Sequence, residues 1–406
     1  MCIRDRHRFV TPAALFLALL AACSQQDDSL SVKPVSVPSP ASGHVVGPRL
    51  STGPEGTQIL SWMERGASGA SLRYAAISGS GFGPAGTVAT DELMFVNWAD
   101  LPSVTAIDSD HLVAHWLRYS ADKTYSYDVV MSQSFDSGRT WSEPLSPHTD
   151  GTPTEHGFVS TYFTPDSAVV LWLDGRETPA GAMTLRSAAI TSDGQRVQEH
   201  LVDDSVCDCC QTDIAVSSAG PIAVYRDRTA DEIRDIRLAR FVDGRWQPGE
   251  RLYEDNWKIA GCPVNGPSIV ARSELVAVAW FSAANDRPVV RVMMSRDGGT
   301  TFGEPVEIAR GRIAGYVGLT LMDGDALAVS WVSRAANGSN TVNLRTVSPD
   351  GHLGPVVDVG QTSQLRVLPQ IGWLDGQVLM AWTDSIDDRS ILQTVRIDPE
   401  RKKAAH

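Results

Sequence analysis

The chain has 406 residues, 42% of them hydrophobic, and a formal net charge of −13. Its lysines and arginines form no basic stripe, so the composition argues against nucleic acid as a partner, and an anionic membrane surface would repel it. The length would fit two or three ordinary domains, but a repeat that runs through most of the chain favours a single one.

The start of the chain has the composition of a targeting segment followed by a tether. A basic stretch up to Arg8 precedes a short apolar run at 13–20, which ends in the sequence Leu-Ala-Ala-Cys at Cys23 and resembles a bacterial lipobox. The resemblance implies a signal peptide at 1–22, lipidation of Cys23 and export to the outer membrane, on its periplasmic or surface side. An ordinary secretory signal with a chance cysteine is the alternative. Residues 23–45 are rich in Ser and Pro and predict a flexible tether, so the lipid is the only expected membrane contact.

Seven apolar runs each end in an aromatic residue, and these residues recur every 51 to 56 positions: Trp62, Trp116, Trp172, Tyr225, Trp280, Trp331 and Trp382. Each repeat divides into four short β-strands, which in the fifth are predicted at 267–271, 275–281, 289–295 and 301–309. This period predicts an all-β fold, a β-propeller of four-stranded blades at 46–400. Seven blades are favoured, and six is the alternative if one aromatic residue does not mark a blade core.

Two further expectations follow from the repeat. The last repeat lacks a fourth strand of its own, and residues 32–37 are predicted to supply it and close the ring. Each core aromatic residue is predicted to pack between neighbouring blades. A closed ring leaves no sheet edge that needs a partner, so we expect a monomer.

Two turns carry a sharper motif. Residues 134–141 fit the Asp-box pattern Ser-x-Asp-x-Gly-x-Thr-Trp at every defined position, and residues 295–302 fit it with Phe302 in place of Trp. The carboxylates of Asp136 and Asp297 are expected to accept hydrogen bonds from backbone N–H groups within the turns.

On these motifs the chain resembles the Asp-box (BNR-repeat) sialidase superfamily of β-propellers. The resemblance implies that the Asp boxes are structural and lie on the face opposite an active site. It also implies an exo-α-sialidase-like glycoside hydrolase, with three arginines that grip the sugar carboxylate, a Tyr nucleophile activated by a Glu, and an Asp acid/base. Only Arg49 lies where the first arginine is expected, and no tyrosine can be assigned as the nucleophile.

The loops after the second strands and before the first strands are predicted to share one face. The residue two positions after each core aromatic is acidic in four blades: Glu64, Asp174, Asp227 and Asp384. Arginines flank two of these, so the rim predicts either ion pairs between blades or a pocket for an anionic sugar. The catalytic candidates are Asp100, Asp150, Glu155, Asp174 and Asp227. The substrate-binding candidates are Arg49, Arg176, Arg226, Arg228, Trp257 and Asn265.

Four cysteines fall in two of these loops: Cys207, Cys209, Cys210 and Cys262. Adjacent blades are expected to bring the two loops together. The interpretations are one or two structural disulfides, among them a strained Cys209–Cys210 bridge, redox-active thiols, or a thiolate site for copper or zinc with His156 or His148 nearby. No other cofactor is expected.

Two functions therefore remain open. The first is an exported sialidase-like propeller that binds or hydrolyses a glycan or another small anionic ligand. The second is a non-catalytic envelope module for binding or assembly, organised by the cysteine loops.

Overall fold

The structure is a computed structural model, and it describes residues 33–79, 81–335, 338–364, 366–387 and 389–399. These residues form seven antiparallel sheets arranged as the blades of a propeller, which confirms the predicted fold and the count of seven. The predicted signal peptide and Cys23 lie outside the described residues.

The strands follow the blades in chain order. A short strand β1 (Val35–Ser36) precedes blade 1, which contains β2 (His44–Thr52), β3 (Gln58–Gly66), β4 (Gly69–Ser78), β5 (Gly81–Phe82) and β6 (Gly86–Asp91). Blade 2 contains β7 (Ser103–Ala106), β8 (Leu112–Tyr119) and β9 (Tyr127–Ser134). Blade 3 contains β10 (His156–Thr164), β11 (Ser167–Asp174), β12 (Met183–Thr191) and β13 (Arg196–Val206). Blade 4 contains β14 (Asp213–Ser217), β15 (Gly220–Arg226), β16 (Ile236–Val242), β17 (Arg245–Trp246) and β18 (Glu250–Arg251).

The remaining blades have the same plan. Blade 5 contains β19 (Ser268–Arg272), β20 (Leu275–Ser282), β21 (Val289–Ser295) and β22 (Val306–Arg310). Blade 6 contains β23 (Ile313–Leu321), β24 (Leu327–Arg334), β25 (Asn340–Val347) and β26 (Leu353–Thr362). Blade 7 contains β27 (Gln370–Leu374), β28 (Gln377–Ile386) and β29 (Arg389–Ile397). In blade 2 the fourth position is a single bridge between Met131 and Leu145.

Helix is confined to short turns in the described part of the chain. Three 3₁₀ turns occur there, at Pro54–Gly56, Ala284–Asp286 and Asp323–Asp325. None of the helices described has the length and apolar character that a membrane crossing requires.

The two ends of the propeller meet in blade 7. Val35 pairs with Arg396 and Ser36 with Val395, so β1 is the fourth strand of that blade, as predicted. The pairing continues for one more residue, because Val37 N–H donates to Thr394 O at 2.9 Å and the Thr394 hydroxyl donates to Val37 O at 2.6 Å.

The fifth repeat matches its predicted strands except at the fourth. That strand begins at Val306 rather than at Thr301, because Thr301 belongs to the Asp-box turn. Its N–H and its hydroxyl both donate to the Asp297 carboxylate, at 2.9 and 2.6 Å. The turn at Asp136 has the same bonds from Thr140, at 2.9 and 2.7 Å. Both carboxylates therefore tie their turns as expected.

All seven core aromatic residues are buried, each with 3% or less of its surface exposed. Each packs against the preceding blade: Trp172, for example, lies among Val113, Leu117 and Tyr127 of blade 2. Residues i and i+2 of a strand share a face. The residue two positions later therefore accepts the indole N–H in three blades, through the pairs Trp62–Glu64 (2.9 Å), Trp172–Asp174 (2.7 Å) and Trp331–Ser333 (3.1 Å).

We predict that Trp62→Ala lowers the free energy of unfolding by about 3–5 kcal/mol, the usual range for a buried tryptophan. Trp62 is fully buried and packs with Ala381 and Leu392 of blade 7, at the joint where the ring closes. Urea denaturation followed by fluorescence measures the change. Trp373→Ala is the control, because Trp373 is only partly buried and packs between blades 6 and 7, where its indole N–H donates to Asp323. An equal loss in the two variants would contradict the prediction.

Candidate functional site on the loop face

Four loops that enter the first strands of blades 2 to 5 lie at one end of the propeller. They comprise residues 92–102, 146–155, 207–212 and 252–267, and we call this surface the loop face. All four cysteines and most of the candidate catalytic residues lie on it. The Asp-box turns follow third strands, so they lie at the opposite end.

The loop face closes one end of the propeller axis. The Trp98 ring packs edge-on against Tyr316, with ring centroids 5.9 Å apart, and Arg366 lies 5.5 Å over Trp98. The Gln211 amide donates to Ala99 O at 2.8 Å, which joins two of the loops. Asn265, a predicted substrate-binding residue, holds a third loop in place, because its side-chain oxygen accepts a hydrogen bond from the Tyr316 N–H at 2.6 Å.

Behind this closure the inner strands surround a cavity of about 720 Å³. Its wall includes Arg49 and Asp213, together with hydroxyl side chains from several blades: Ser51, Thr52, Thr105, Thr161, Thr164, Ser268 and Thr320. Burial lowers the pKa of Arg49 and raises the pKa of Asp213, although Asp213 accepts hydrogen bonds from Ile269 N (3.0 Å) and the Ser268 hydroxyl (3.1 Å). Arg49 is therefore the one predicted arginine that faces the axis.

A pair of stacked histidines lies between blades 2 and 3. The His148 and His156 rings are 4.0 Å apart and nearly parallel, and both are buried. Asp150 Oδ2 lies 3.0 Å from His148 Nδ1 and 3.3 Å from His156 Nε2, and Asp128 Oδ1 lies 3.3 Å from His156 Nδ1. These donors are close enough to share a cation.

The carboxylates around this pair favour the protonated form of His156. Burial opposes a charge on His156, but the hydrogen bond to Asp128 and the carboxylates of Asp174 and Asp150 outweigh it and raise its pKa. Burial and the neighbouring His156 charge lower the pKa of His148. The surroundings therefore shift the pKa values of the two stacked imidazoles in opposite directions.

A tyrosine–glutamate pair lies beside the histidines. Tyr127 OH donates to Glu155 Oε1 at 2.5 Å, and its ring stacks on Phe95 at 4.0 Å. Only 1% of Tyr127 is exposed, and burial raises its pKa, followed by the charges of Asp100 and Glu155. An activated nucleophile needs a lowered pKa and access to substrate, so this pair does not fit that role. Burial also raises the pKa of Asp100 to about 8.

The predicted sugar-binding arginines are held separately. Arg226 is buried and donates to three backbone carbonyls, those of Asn265 (2.9 Å), Arg234 (2.6 Å) and Phe281 (2.8 Å), with its guanidinium 4.8 Å over the Trp257 ring. Arg228 binds Glu232 (2.8 Å) and Asp208 (3.2 Å).

Arg176 and Asp227 are likewise paired within the protein. Arg176 binds Asp174 (2.6 Å) and Glu199 (2.9 Å), and Asp227 accepts from Arg237 at 2.7 Å. The structure therefore does not bring Arg49, Arg176, Arg226 and Arg228 into one pocket. The rim consists of ion pairs and hydrogen bonds that fasten loops.

The cysteines do converge. Cys207 and Cys210 are buried, Cys209 is half-buried and Cys262 is exposed, and all four are free thiols. The ligand atoms of Cys207, Cys209 and Cys210 lie within 4.8 Å of one another. His148 and His156 belong to the separate cluster described above, so the expected cysteine–histidine grouping does not form among the described residues.

Two of these features are only weakly indicated by the sequence. The Tyr127–Glu155 pair joins residues 28 positions apart through an isolated parallel bridge, which no strand pattern indicates. The stacking of His148 on His156 depends on how one loop folds back, although both residues fall in a single polar segment.

Comparisons with known proteins place the fold. No protein-family model and no curated sequence matches this chain. Among solved structures, the polysaccharide lyase Uly1 superposes with a TM-score of 0.51 at 9% identity, over 87% of this chain and 89% of that one. The α-L-arabinofuranosidase from Fusarium graminearum superposes with a TM-score of 0.47 at 11% identity, over 90% of this chain and 98% of that one. The Trypanosoma rangeli sialidase with the inhibitor DANA superposes with a TM-score of 0.43 at 13% identity, over 79% of this chain and 56% of that one.

The likeness is one of fold. It agrees with the propeller architecture that the resemblance implies, and it shows the fold alone. At these identities the chemistry has to be argued from the chain's own residues.

We predict that His156→Gln lowers the free energy of unfolding below about pH 6.5. The difference in this free energy between the variant and the parent chain should narrow as the pH rises. A histidine whose pKa is raised on folding contributes stability below its unfolded pKa, and the contribution is lost as the pH rises through the folded pKa. Urea midpoints of both proteins between pH 5 and 9 measure the trend.

His115→Gln is the matched control. Burial lowers the pKa of His115 to about 3, so its contribution is present above the unfolded pKa and is lost as the pH falls. The deficits of the two variants should therefore change with pH in opposite directions. Parallel trends would contradict the raised pKa of His156.

Proposed function

We propose that this chain is a glycan-directed β-propeller that binds an anionic saccharide in its central cavity and does not cleave it. The observation that carries the proposal is the placement of Arg49 and Asp213 on the wall of that cavity. A volume of about 720 Å³ is within the range of small-molecule sites and suits one or two sugar units.

Arg49 is the proposed anchor for the ligand carboxylate. Its side chain contacts Val159 O through one N–H, at 3.3 Å, and it feels Asp213 and Asp100 only as longer-range charges. A guanidinium in this setting gains most from a planar carboxylate that takes two parallel hydrogen bonds. Asp213 and the surrounding hydroxyl groups supply partners for sugar hydroxyls.

The enclosure of the Tyr127–Glu155 pair and the separation of the arginines favour binding over hydrolysis. The loop-face end of the axis is closed by Trp98 and Tyr316. The ligand would therefore enter from the end with the Asp-box turns, where the cavity wall reaches Pro54, Ile107, Pro165 and Val216. This is the face opposite to the one that the sialidase resemblance implies.

The proposed location rests on the sequence. The lipobox-like segment at Cys23 and the Ser/Pro-rich tether support export and anchoring at the outer membrane. The closed ring supports a monomer. The alternative function, an envelope module organised by cysteine loops, is favoured by the convergence of the four thiols.

We expect the full-length chain to bind N-acetylneuraminic acid or glucuronate in saturation-transfer NMR and calorimetry, and to bind neutral sugars more weakly. Arg49→Met should weaken binding at least about tenfold, which corresponds to about 1.4 kcal/mol. Arg272→Met is the control. Arg272 ends β19 at the Asp-box end of the propeller, where the ligand would enter, and it is not part of the cavity wall.

Two outcomes would overturn the proposal. One is equal binding by Arg49→Met and the parent chain, with both proteins folded by circular dichroism. The other is release of fluorophore from a sialoside, since turnover would show that the site is catalytic.

A further inference from the structure

Four thiols from two loops meet on the loop face. Cys207, Cys209 and Cys210 follow β13 and lead from blade 3 into blade 4, and Cys262 lies in the loop from blade 4 to blade 5. The Cys207 and Cys210 sulfurs are 3.2 Å apart. The Cys209 thiol interacts with both of these and also with Cys262, so it joins the two loops.

These spacings suit a tetrahedral metal ion. With Zn–S bonds of about 2.3 Å, the sulfurs of a regular tetrahedral site are about 3.8 Å apart. The Cys207–Cys210 distance is shorter than this value, and the sulfurs of Cys207, Cys209 and Cys210 all lie within 4.8 Å of one another. Three of the sulfurs are therefore close enough to share one ion, and the interaction of Cys209 with Cys262 brings the fourth beside them.

The surroundings stabilise negative charge on the sulfurs. Arg234 is buried and donates to Cys207 Sγ at 3.2 Å, and its other nitrogen holds Glu232 at 2.7 Å, which fixes the guanidinium in place. Arg226 adds a second buried positive charge near Cys210. Four thiolates around a divalent ion carry two net negative charges, and these two arginines counter part of that charge, since Arg234 is also paired with Glu232. Partners of this kind orient metal ligands and tune their basicity.

The site is sheltered but accessible. Cys207 and Cys210 each have 1% of their surface exposed, whereas Cys262 is exposed and offers an entry path for an ion. Buried thiols bound to a metal are protected from oxidation by their low exposure and their shared charge. Thiolates select soft metals, and a set of four sulfurs with no open position is typical of structural sites.

We infer that Cys207, Cys209, Cys210 and Cys262 together bind one thiophilic metal ion of the Zn²⁺ or Cu⁺ class, and that this ion clips the two loops together.

The clip has a structural consequence at the axis. Gln211 directly follows Cys210, and its amide bonds Ala99 O at 2.8 Å and Gly266 N at 3.2 Å. Asn265 lies three residues after Cys262 and bonds Tyr316 N at 2.6 Å. The metal therefore holds the residues that close the axis, and its loss should loosen the loop face first. This inference can fail while the saccharide proposal stands, because that proposal rests on Arg49 and Asp213 and on none of the four cysteines.

The test uses the full-length chain, purified anaerobically, stripped with a chelator and titrated with Co²⁺ as a spectroscopic stand-in for Zn²⁺. We expect one equivalent of Co²⁺ to give thiolate-to-cobalt charge-transfer absorption and the intense visible bands of a tetrahedral site. Cys262→Ser should weaken binding about 100-fold and reduce that absorption. Its thiol is exposed, so the variant should fold. Ser205→Ala, in the same segment as Cys207, leaves the sulfurs intact and should bind as the parent chain does.

A second readout follows the loops rather than the metal. Limited proteolysis within 252–267 should be slow in the metal-loaded parent chain and faster after chelation, with Cys262→Ser fast in both conditions. Competition between Zn²⁺ and Cu⁺ then identifies the preferred ion, and tight one-to-one binding of either supports the inference. Two results would overturn it: Cys207–Cys210 or Cys209–Cys262 disulfides in protein purified without metal, or Co²⁺ binding that survives Cys262→Ser unchanged.

Discussion

The packing of one aromatic residue per blade against the preceding blade holds this molecule together. A four-stranded blade cannot bury both of its faces alone, so each sheet depends on its neighbours. The seven residues lie in the second strands, one to four residues before the strand ends and the loop begins. The same residues therefore stabilise the ring and fix the starting points of the loops that carry the charged and thiol side chains.

Features that depend on short-range pattern were visible in the sequence. The repeat period predicted the blades, the missing fourth strand of the last repeat predicted the closure by Val35–Ser36, and the motif at Asp136 predicted a self-bonded turn. The role of Asp174 as acceptor for the Trp172 indole was also readable, because strand residues two apart share a face.

Features that depend on contacts between distant loops were not visible in the sequence. Arg226 next to Asp227 suggests an exposed rim charge, yet its donors reach the carbonyl of Phe281, 55 residues away. A backbone carbonyl leaves no mark in the sequence, so a buried arginine of this kind looks like any other. The closure of the axis by Trp98 escaped prediction for the same reason, since Tyr316 and Arg366 come from other blades.

The loop face and the central cavity divide the polar chemistry between two regions. Most charged side chains of the loop face and of the strand ends beside it have internal partners, as in the Arg176 ion pairs and the contacts of Asp150 with the stacked histidines. The side chains of the cavity wall have fewer internal partners, and Arg49 donates to one carbonyl, that of Val159. Charged residues that look functional in the sequence thus serve mostly to order loops, and the cysteine cluster belongs to that ordered layer.

The closure of the ring also constrains how the chain folds. Val37 and Thr394 bond each other although they are 357 positions apart, so blade 7 needs both the first and the last strands of the propeller. The strand Val35–Ser36 can pair only after Arg389–Ile397 has been synthesised, and the faces of blades 1 and 6 that pack against blade 7 stay exposed until that blade forms. Contacts of such high sequence separation slow folding and prolong exposure of edges that invite aggregation. Completion of the ring is thus a step that follows synthesis of the whole propeller, and a chain cut short before Arg389 would lack the last strand of blade 7 and leave that blade open.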